Sequence, residues 1–193
     1  GDWDESRTTP NYFYNATASK SGSDYTLSSA YYWPGASYKM RFFAYAPKGN
    51  ARYVFSGQGQ AGSPRISVTV PEEVSQQEDL LVARSSELGG NSNTAVALTF
   101  NHALTAVRFV CGNDMRGGTV KSVSLKNVYS KGTYNMGTQS WSNVGSPATF
   151  SQTLDKVTTG TADEALTSEA QTFMMLPQQL PEDAQIEVLF TDD

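Results

Sequence analysis

The strongest constraint on this chain is the shortness and period of its apolar runs. Arg65–Val70 (RISVTV) sets Ile66, Val68 and Val70 against Ser67 and Thr69. That two-residue period belongs to a strand half-buried in a sheet. About ten runs of this kind follow one another, parted by Gly-, Pro-, Asn- and Ser-rich turns roughly every 8–12 residues. None extends into a sustained 3.6-residue repeat. The pattern predicts an all-β antiparallel sandwich or barrel. No fixed internal period is present, so propellers and solenoids are disfavoured.

The central pair of runs is Ala95–Cys111, AVALTFNHALTAVRFVC. Val96, Leu98, Phe100 and His102 share one parity; Val107, Phe109 and Cys111 share another. Asn101 to Thr105 is too short for a crossover helix, so two core strands joined by a polar crossing are expected. Further strands are expected at Asn11–Thr17, Tyr25–Trp33, Arg52–Ser56, Leu80–Arg84, Gln171–Leu176 and Gln185–Thr191. Tyr38–Ala46 carries apolar residues on both faces, as in a central strand or one with a face kept for a partner. In Thr119–Tyr129 the parity shifts between Val120 and Val123, as a β-bulge would produce. Pro71–Asp79 and Ala162–Ala170 have the composition of single helical turns.

At 193 residues, 38% hydrophobic, the chain suits one domain spanning 1–193, with residues 1–10 as a flexible polar lead-in. Net charge is −5 and no Lys/Arg cluster stands out, which argues against a nucleic-acid partner and against an anionic membrane surface. No apolar run of membrane-spanning length or signal peptide is present. The chain starts Gly-Asp-Trp without methionine and reads as an excised piece.

Chemistry is sparsely represented. The single His102 and single Cys111 form a conceivable nucleophile pair, but Cys111 lies on an aliphatic face and no third group orients the imidazole. Cys111 reads as a small buried hydrophobe, and His102 as a residue hydrogen-bonding across the crossing. One cysteine excludes an internal disulfide, and no ligand-spaced cluster surrounds His102, so no metal or cofactor is expected. Glu72/Glu73 and Glu78/Asp79 are sequence neighbours and do not face each other across a cleft, as glycosidase chemistry requires. Asp2, Asp4 and Glu5 lack the glycine and closing glutamate of a calcium loop. Gly57-Gln58-Gly59 and Gly117-Gly118 open no helix and make no phosphate cradle. Asn15-Ala16-Thr17 is a glycosylation-type tripeptide of a kind frequent by chance. No catalytic, cofactor or metal residue is expected, and the chain reads as a non-enzyme. A second reading is a carbohydrate-binding module using Trp3, Tyr31, Tyr32, Trp33 and Trp141 as stacking platforms; core packing or turn anchoring is the plainer role for Trp33 and Trp141.

Five segments, taken together, resemble the fimbrillin family of Bacteroidales, the pilins of type V pili. They are Tyr31–Pro47 (YYWPGASYKMRFFAYAP), Val70–Ser85, Leu98–Val110 (LTFNHALTAVRFV), Val123–Asn135 closing at Trp141, and Phe173–Phe190 (FMMLPQQLPEDAQIEVLF). They follow the family's YWP…FFAYxP, QxDLLxA, LxFxHALxxVxF, GxY…W and MLPQ…IxV signatures in order. The resemblance implies a transthyretin-like, Greek-key β-sandwich, similar to the N-terminal half of a fimbrillin. It further implies export as a lipoprotein, trimming after an arginine, and assembly with other pilin subunits by strand complementation at the cell surface, with surface receptors as further partners. Any membrane link would run through a lipid anchor on an upstream segment. Arg7 is the one basic residue of the lead-in and the candidate trimming site. The lipobox, the usual upstream strand and the usual C-terminal domain fall outside the segments matched here.

Overall fold

The computed structural model describes residues 4–6, 8–10 and 12–192. These form fourteen strands and two single 3-10 turns, and every pairing between named strands with a recorded register is antiparallel. The strands are β1 (Ala18–Ser21), β2 (Asp24–Leu27), β3 (Lys39–Met40), β4 (Phe43–Ala46), β5 (Tyr53–Phe55), β6 (Arg65–Thr69) and β7 (Leu81–Arg84). They continue as β8 (Leu88–Gly89), β9 (Asn101–His102), β10 (Thr105–Val107), β11 (Gly118–Asn135), β12 (Ser140–Thr158), β13 (Phe173–Met175) and β14 (Gln185–Asp192). The 3-10 turns are Val74–Gln76 and Glu169–Gln171. The first falls in the stretch expected to hold a helical turn, and the second overlaps the end of the other, taking Gln171 from the strand expected to start there. The all-β antiparallel expectation holds.

The chain divides into two compact units, one of residues 1–67, 80–101 and 134–140 and one of 68–79, 102–133 and 141–193. In the first unit β4 and β7 pair from Phe43↔Arg84 to Ala46↔Leu81, and β3 pairs β8. The β1–β2 hairpin closes through a two-residue loop whose Gly22 takes φ +63, the conformation such hairpin turns demand. A ring lattice fills much of this unit. Tyr45 stacks on Phe55 at 4.9 Å, and Phe13 lies 5.9 Å from Phe42, which Trp33 meets edge-on at 6.0 Å. The lead-in is tied down here: Glu5 accepts the Ser63 N–H at 2.7 Å and the Ser63 hydroxyl, while Thr8 C=O accepts the Gly62 N–H at 2.9 Å.

The second unit is built on β11. β12 takes one edge of that strand, and β14 and β6 share the other. β14 pairs Gly118 to Lys126, and the extension of β6 begins where the Val70 N–H donates to Ser130 C=O. Between them, at Tyr129, a side chain stands in for a strand. The Gln178 amide accepts the Tyr129 N–H at 2.8 Å and donates to its C=O at 3.0 Å. Gln77 does the same for the Met174 N–H at 2.6 Å. Such substitution satisfies backbone groups that would otherwise be orphaned where sheet pairing changes hands. The expected bulge is present, with the β11–β14 register shifting between Val120 and Ser122, so that Val120 and Val123 both turn inward. They pack with Cys111 and Leu166, and Phe109, Met115, Leu154 and Phe190 close round them.

Four local expectations fail in whole or in part. The strand expected over Tyr25–Trp33 ends at Leu27, where β2 stops. Asn11 is outside the described residues, and Tyr12 to Thr17 form no strand. Their rings instead go into the lattice, and the hairpin begins at Ala18. Tyr38–Ala46 is broken at Arg41–Phe42 into β3 and β4, with Phe42 turned to Phe13 and Trp33. Ala95–Cys111 is not a pair of core strands. Thr94–Phe100 has no ladder partner, and β9 and β10 are two and three residues long. The crossing expected to be polar holds the buried residues Ala103 and Leu104. Alternation holds for part of the first run, with Val96 and Leu98 shielded and Ala95 and Ala97 open, while Phe100 and His102 of the same parity are exposed; shielding one face does not require a hydrogen-bonded neighbour.

Candidate assembly edge

β14 is where this fold leaves most undone. It pairs with β11 alone, so among the described residues its outer edge presents bare N–H and C=O groups. Its side chains are open as well. Ile186 is 63% exposed, Val188 48% and Leu189 58%. Val188 lies opposite Val123 and Ile186 opposite Leu125, both of which are buried. The core of the unit therefore runs up to β14 and stops, with apolar surface continuing beyond the last covered strand. Leu189 faces the other way, opposite Ser122.

The far edge of the same sheet is treated differently. β12 holds Pro147 and three non-glycine residues at positive φ, Asn143, Ser146 and Asp155. Proline removes a donor, and left-handed residues kink the ladder; both discourage edge-to-edge pairing. Asp155 and Lys156 add ion pairs with Lys121 and Glu164. β14 has neither proline, glycine nor a positive-φ residue. Glu187 of β14 does pair with Lys126, but an edge without proline or left-handed residues that exposes Ile186, Val188 and Leu189 is suited to receive a further strand.

The residues singled out from sequence take other roles. His102 Nδ1 pairs with Asp79 Oδ2 on an exposed surface. Cys111 is buried, its Sγ 3.1 Å from the Thr158 hydroxyl, which in turn donates to Glu164 at 2.6 Å. The two have different partners and are not brought together as a nucleophile and base. Glu164 is held well below the usual carboxylate range, at about 2, chiefly by the Thr158 hydroxyl and then by Lys156. Glu73 accepts from the Ser75 hydroxyl and the Gln76 side-chain amide, and of the second acid pair Asp79 alone meets His102. Asp4 accepts from Ser6 and Glu5 from Ser63. Gly57 and Gly59 sit in an open loop. Asn15 accepts from Tyr45 and Lys48. No group of three or more potential metal ligands is gathered among the described residues, and none of their helices is long and apolar enough to cross a membrane.

Of the proposed stacking rings, Trp33 packs on Phe42. Trp141 lies over Gly132, where a Cβ would come within 3.1 Å of the ring, and its indole N–H donates to Ala103 C=O at 3.1 Å. This explains the spacing of the glycine and the tryptophan: the missing side chain makes room for the ring on the neighbouring strand. Tyr31 and Tyr32 are exposed. Trp3 and Arg7 lie outside the described residues. Gln77 and Gln178 were missed as working residues, because a glutamine patching a ladder has no signature beyond its polarity.

Known proteins bear on this geometry in three ways. A family model described as fimbrillin-like matches residues 3–193. The fimbrium subunit Fim1C of Phocaeicola vulgatus ATCC 8482 is 26% identical over 117 residues, which cover 54% of this chain and 31% of that protein. The chain thus spans about a third of the curated relative it matches. A crystal structure of a fimbrial protein from Bacteroides vulgatus ATCC 8482 superposes with a TM-score of 0.75 at 20% identity, covering 95% of this chain and 70% of that one. At that identity the likeness concerns the fold. The family model, which runs almost end to end through the segments that carry the resemblance, settles the affiliation: the chain belongs to the fimbrillin-like family.

Proposed function

We propose that residues 1–193 form one N-terminal-type domain of a fimbrial subunit, displayed on the cell surface and without catalytic activity. Its work is to join neighbouring subunits, which add a strand to the open edge of β14. The observation that carries this is the contrast between the two edges of one sheet. β12 is blunted by proline and left-handed residues, whereas β14 is bare and apolar beside a finished core. An added strand would satisfy the outer backbone groups and cover Ile186 and Val188.

The test is a subunit carrying Val188→Lys and Leu189→Glu, with Val157→Lys on β12 as a control. All three positions are already open to solvent, so folding should survive. Fimbriae purified from cells producing each full-length variant are then probed for the subunit. The β14 variant should be absent from fimbriae while present in the cell, and the control should be incorporated. Incorporation of the β14 variant at the normal level would refute strand addition at this edge.

A further inference from the structure

The first unit also leaves a strand edge uncovered. In the β1–β2 hairpin every residue of both strands is exposed, and among the described residues the pair joins no larger sheet. Two strands with no covered face are marginal in water. This hairpin is held at its base. The Lys48 ammonium donates to Asn15 C=O at 2.6 Å and to the Thr17 hydroxyl at 2.7 Å, and the Tyr45 hydroxyl donates to the Asn15 side chain at 2.9 Å. The Ser28 N–H closes on Thr17 C=O at 3.1 Å, next to the first ladder pair, Ala18↔Leu27.

The two strands differ in what they offer. β2 (DYTL) carries Tyr25 at 70% and Leu27 at 38% exposure on one face. Their partners on β1 (ASKS) are Lys20 and Ala18. A lysine on a border strand is one of the devices that keep an edge unpaired. β1 is thus fitted to remain a border, and β2 to be covered. Tyr25 and Leu27 have the same two-residue spacing as Ile186 and Val188, the open apolar pair of β14 in the second unit.

We infer that β2 of a second copy of this chain is the strand added to β14, with its β1 carried along as the new outer edge. The inference rests on the reading of β14 as an assembly edge and names what fills it. Antiparallel is the sense of every recorded ladder between named strands. In that sense, setting Tyr25 beside Val188 brings Leu27 beside Ile186. The row Val123–Val188 then continues to Tyr25 and ends at Lys20, while the row Leu125–Ile186 continues to Leu27 and ends at Ala18. Tyr25 with Val188 is an aromatic–β-branched pair of the kind that stabilises sheets. On the other face Thr26 comes beside Glu187, whose carboxylate Lys126 already meets at 2.6 Å. Asp24 comes beside Leu189 at the hairpin turn, where its carboxylate stays in water. Donor and acceptor are different patches of one chain, so the contact runs head to tail, the type that builds filaments when its rotation does not close.

The experiment uses the full-length subunit. Thr26→Cys and Glu187→Cys subunits are produced in the same cells, and their fimbriae are purified, mildly oxidised and run on a non-reducing gel. Both positions are exposed, Tyr25 and Leu27 stay intact, and the native Cys111 is buried. Disulfide-linked dimers are expected from this pair. Val54→Cys, an open position on β5, should give none with Glu187→Cys. A Tyr25→Lys, Leu27→Lys subunit should be absent from fimbriae while present in the cell. Dimers no more abundant than with Val54→Cys, or normal incorporation of the Tyr25→Lys, Leu27→Lys subunit, would each overturn the inference. The two readings fail separately. If that subunit is incorporated while Val188→Lys, Leu189→Glu is excluded, β14 remains an assembly edge and takes a different strand; if both are incorporated, both readings fall.

Discussion

Glu5 shows how the first residues of this chain are bound to the domain, and removing its carboxylate gives a sharp test. Ser63 is buried at 2% exposure, and both its N–H and its hydroxyl donate to Glu5. Gly137 packs tightly over Ser63, with no room for a side chain at that position. In Glu5→Ala both donors lose their carboxylate acceptor. A hydrogen bond to a charged group contributes about 1.5–3 kcal/mol. Two such bonds share one carboxylate, so their losses do not add fully, and we take a total of about 3 kcal/mol. For a chain of this length each kcal/mol moves Tm by roughly 2–4 °C, giving a fall of about 6–12 °C by the same scaling. Glu5→Gln keeps an acceptor in place and should lose less than half as much. Thermal unfolding followed by circular dichroism would measure both. A Glu5→Ala protein melting within a degree or so of the parent would refute the reasoning, because it would mean that the lead-in contributes nothing to the fold.

Two further outcomes rest on single side chains. Glu164 is held at about 2 against an ordinary 4.5, so its ionised form stabilises the native state. That contribution is complete above pH 4.5 and is lost as pH falls toward 2. The stability gap between parent and Glu164→Gln, measured by urea unfolding across this range, should therefore close on acidification; a gap independent of pH would contradict the role given to Thr158 and Lys156. Gln178→Leu strips Tyr129 of the partners for its N–H and C=O, at a cost of about 1–3 kcal/mol. The Tyr129 amide should then exchange with solvent faster than that of Val123 on the same strand, and unchanged protection would remove Gln178 from the sheet.

Strand content was legible because a two-residue period needs nothing beyond the local sequence. Ile66, Val68 and Val70 are buried as their parity requires, and the slip from Val120 to Val123 marks a real bulge. Partners were harder to read. Val96 and Leu98 alternate as well as any strand in the chain, yet Thr94–Phe100 has no ladder. Burial of one face is written in the side chains, whereas a hydrogen-bonded neighbour depends on distant residues that leave no local trace. Ala103 and Leu104 show the complementary failure: a crossing that is short and flanked by polar residues is still buried, because the Trp141 indole reaches its carbonyl.

The edge of β14 was half-legible, and the reason separates folding from assembly. QIEVLFT alternates Ile186, Val188 and Phe190, which puts all three on one face of the strand. Phe190 does turn in, against Val120 and the cluster round Cys111. Ile186 and Val188 occupy the same face of the same strand and remain open. Three residues with one parity thus divide according to how far the core extends beneath them, and alternation has no term for that distance. What sequence does carry is a set of strand-breaking residues on β12, Pro147 and the turn-prone Asn143, Ser146 and Asp155. The absence of such residues from β14 gains meaning once β14 is known to be an edge. An apolar strand without gatekeepers is ordinary inside a sheet and unstable in isolation at its border. On the proposed function this border becomes interior when a further strand covers it, and the Val188→Lys, Leu189→Glu protein tests that step directly.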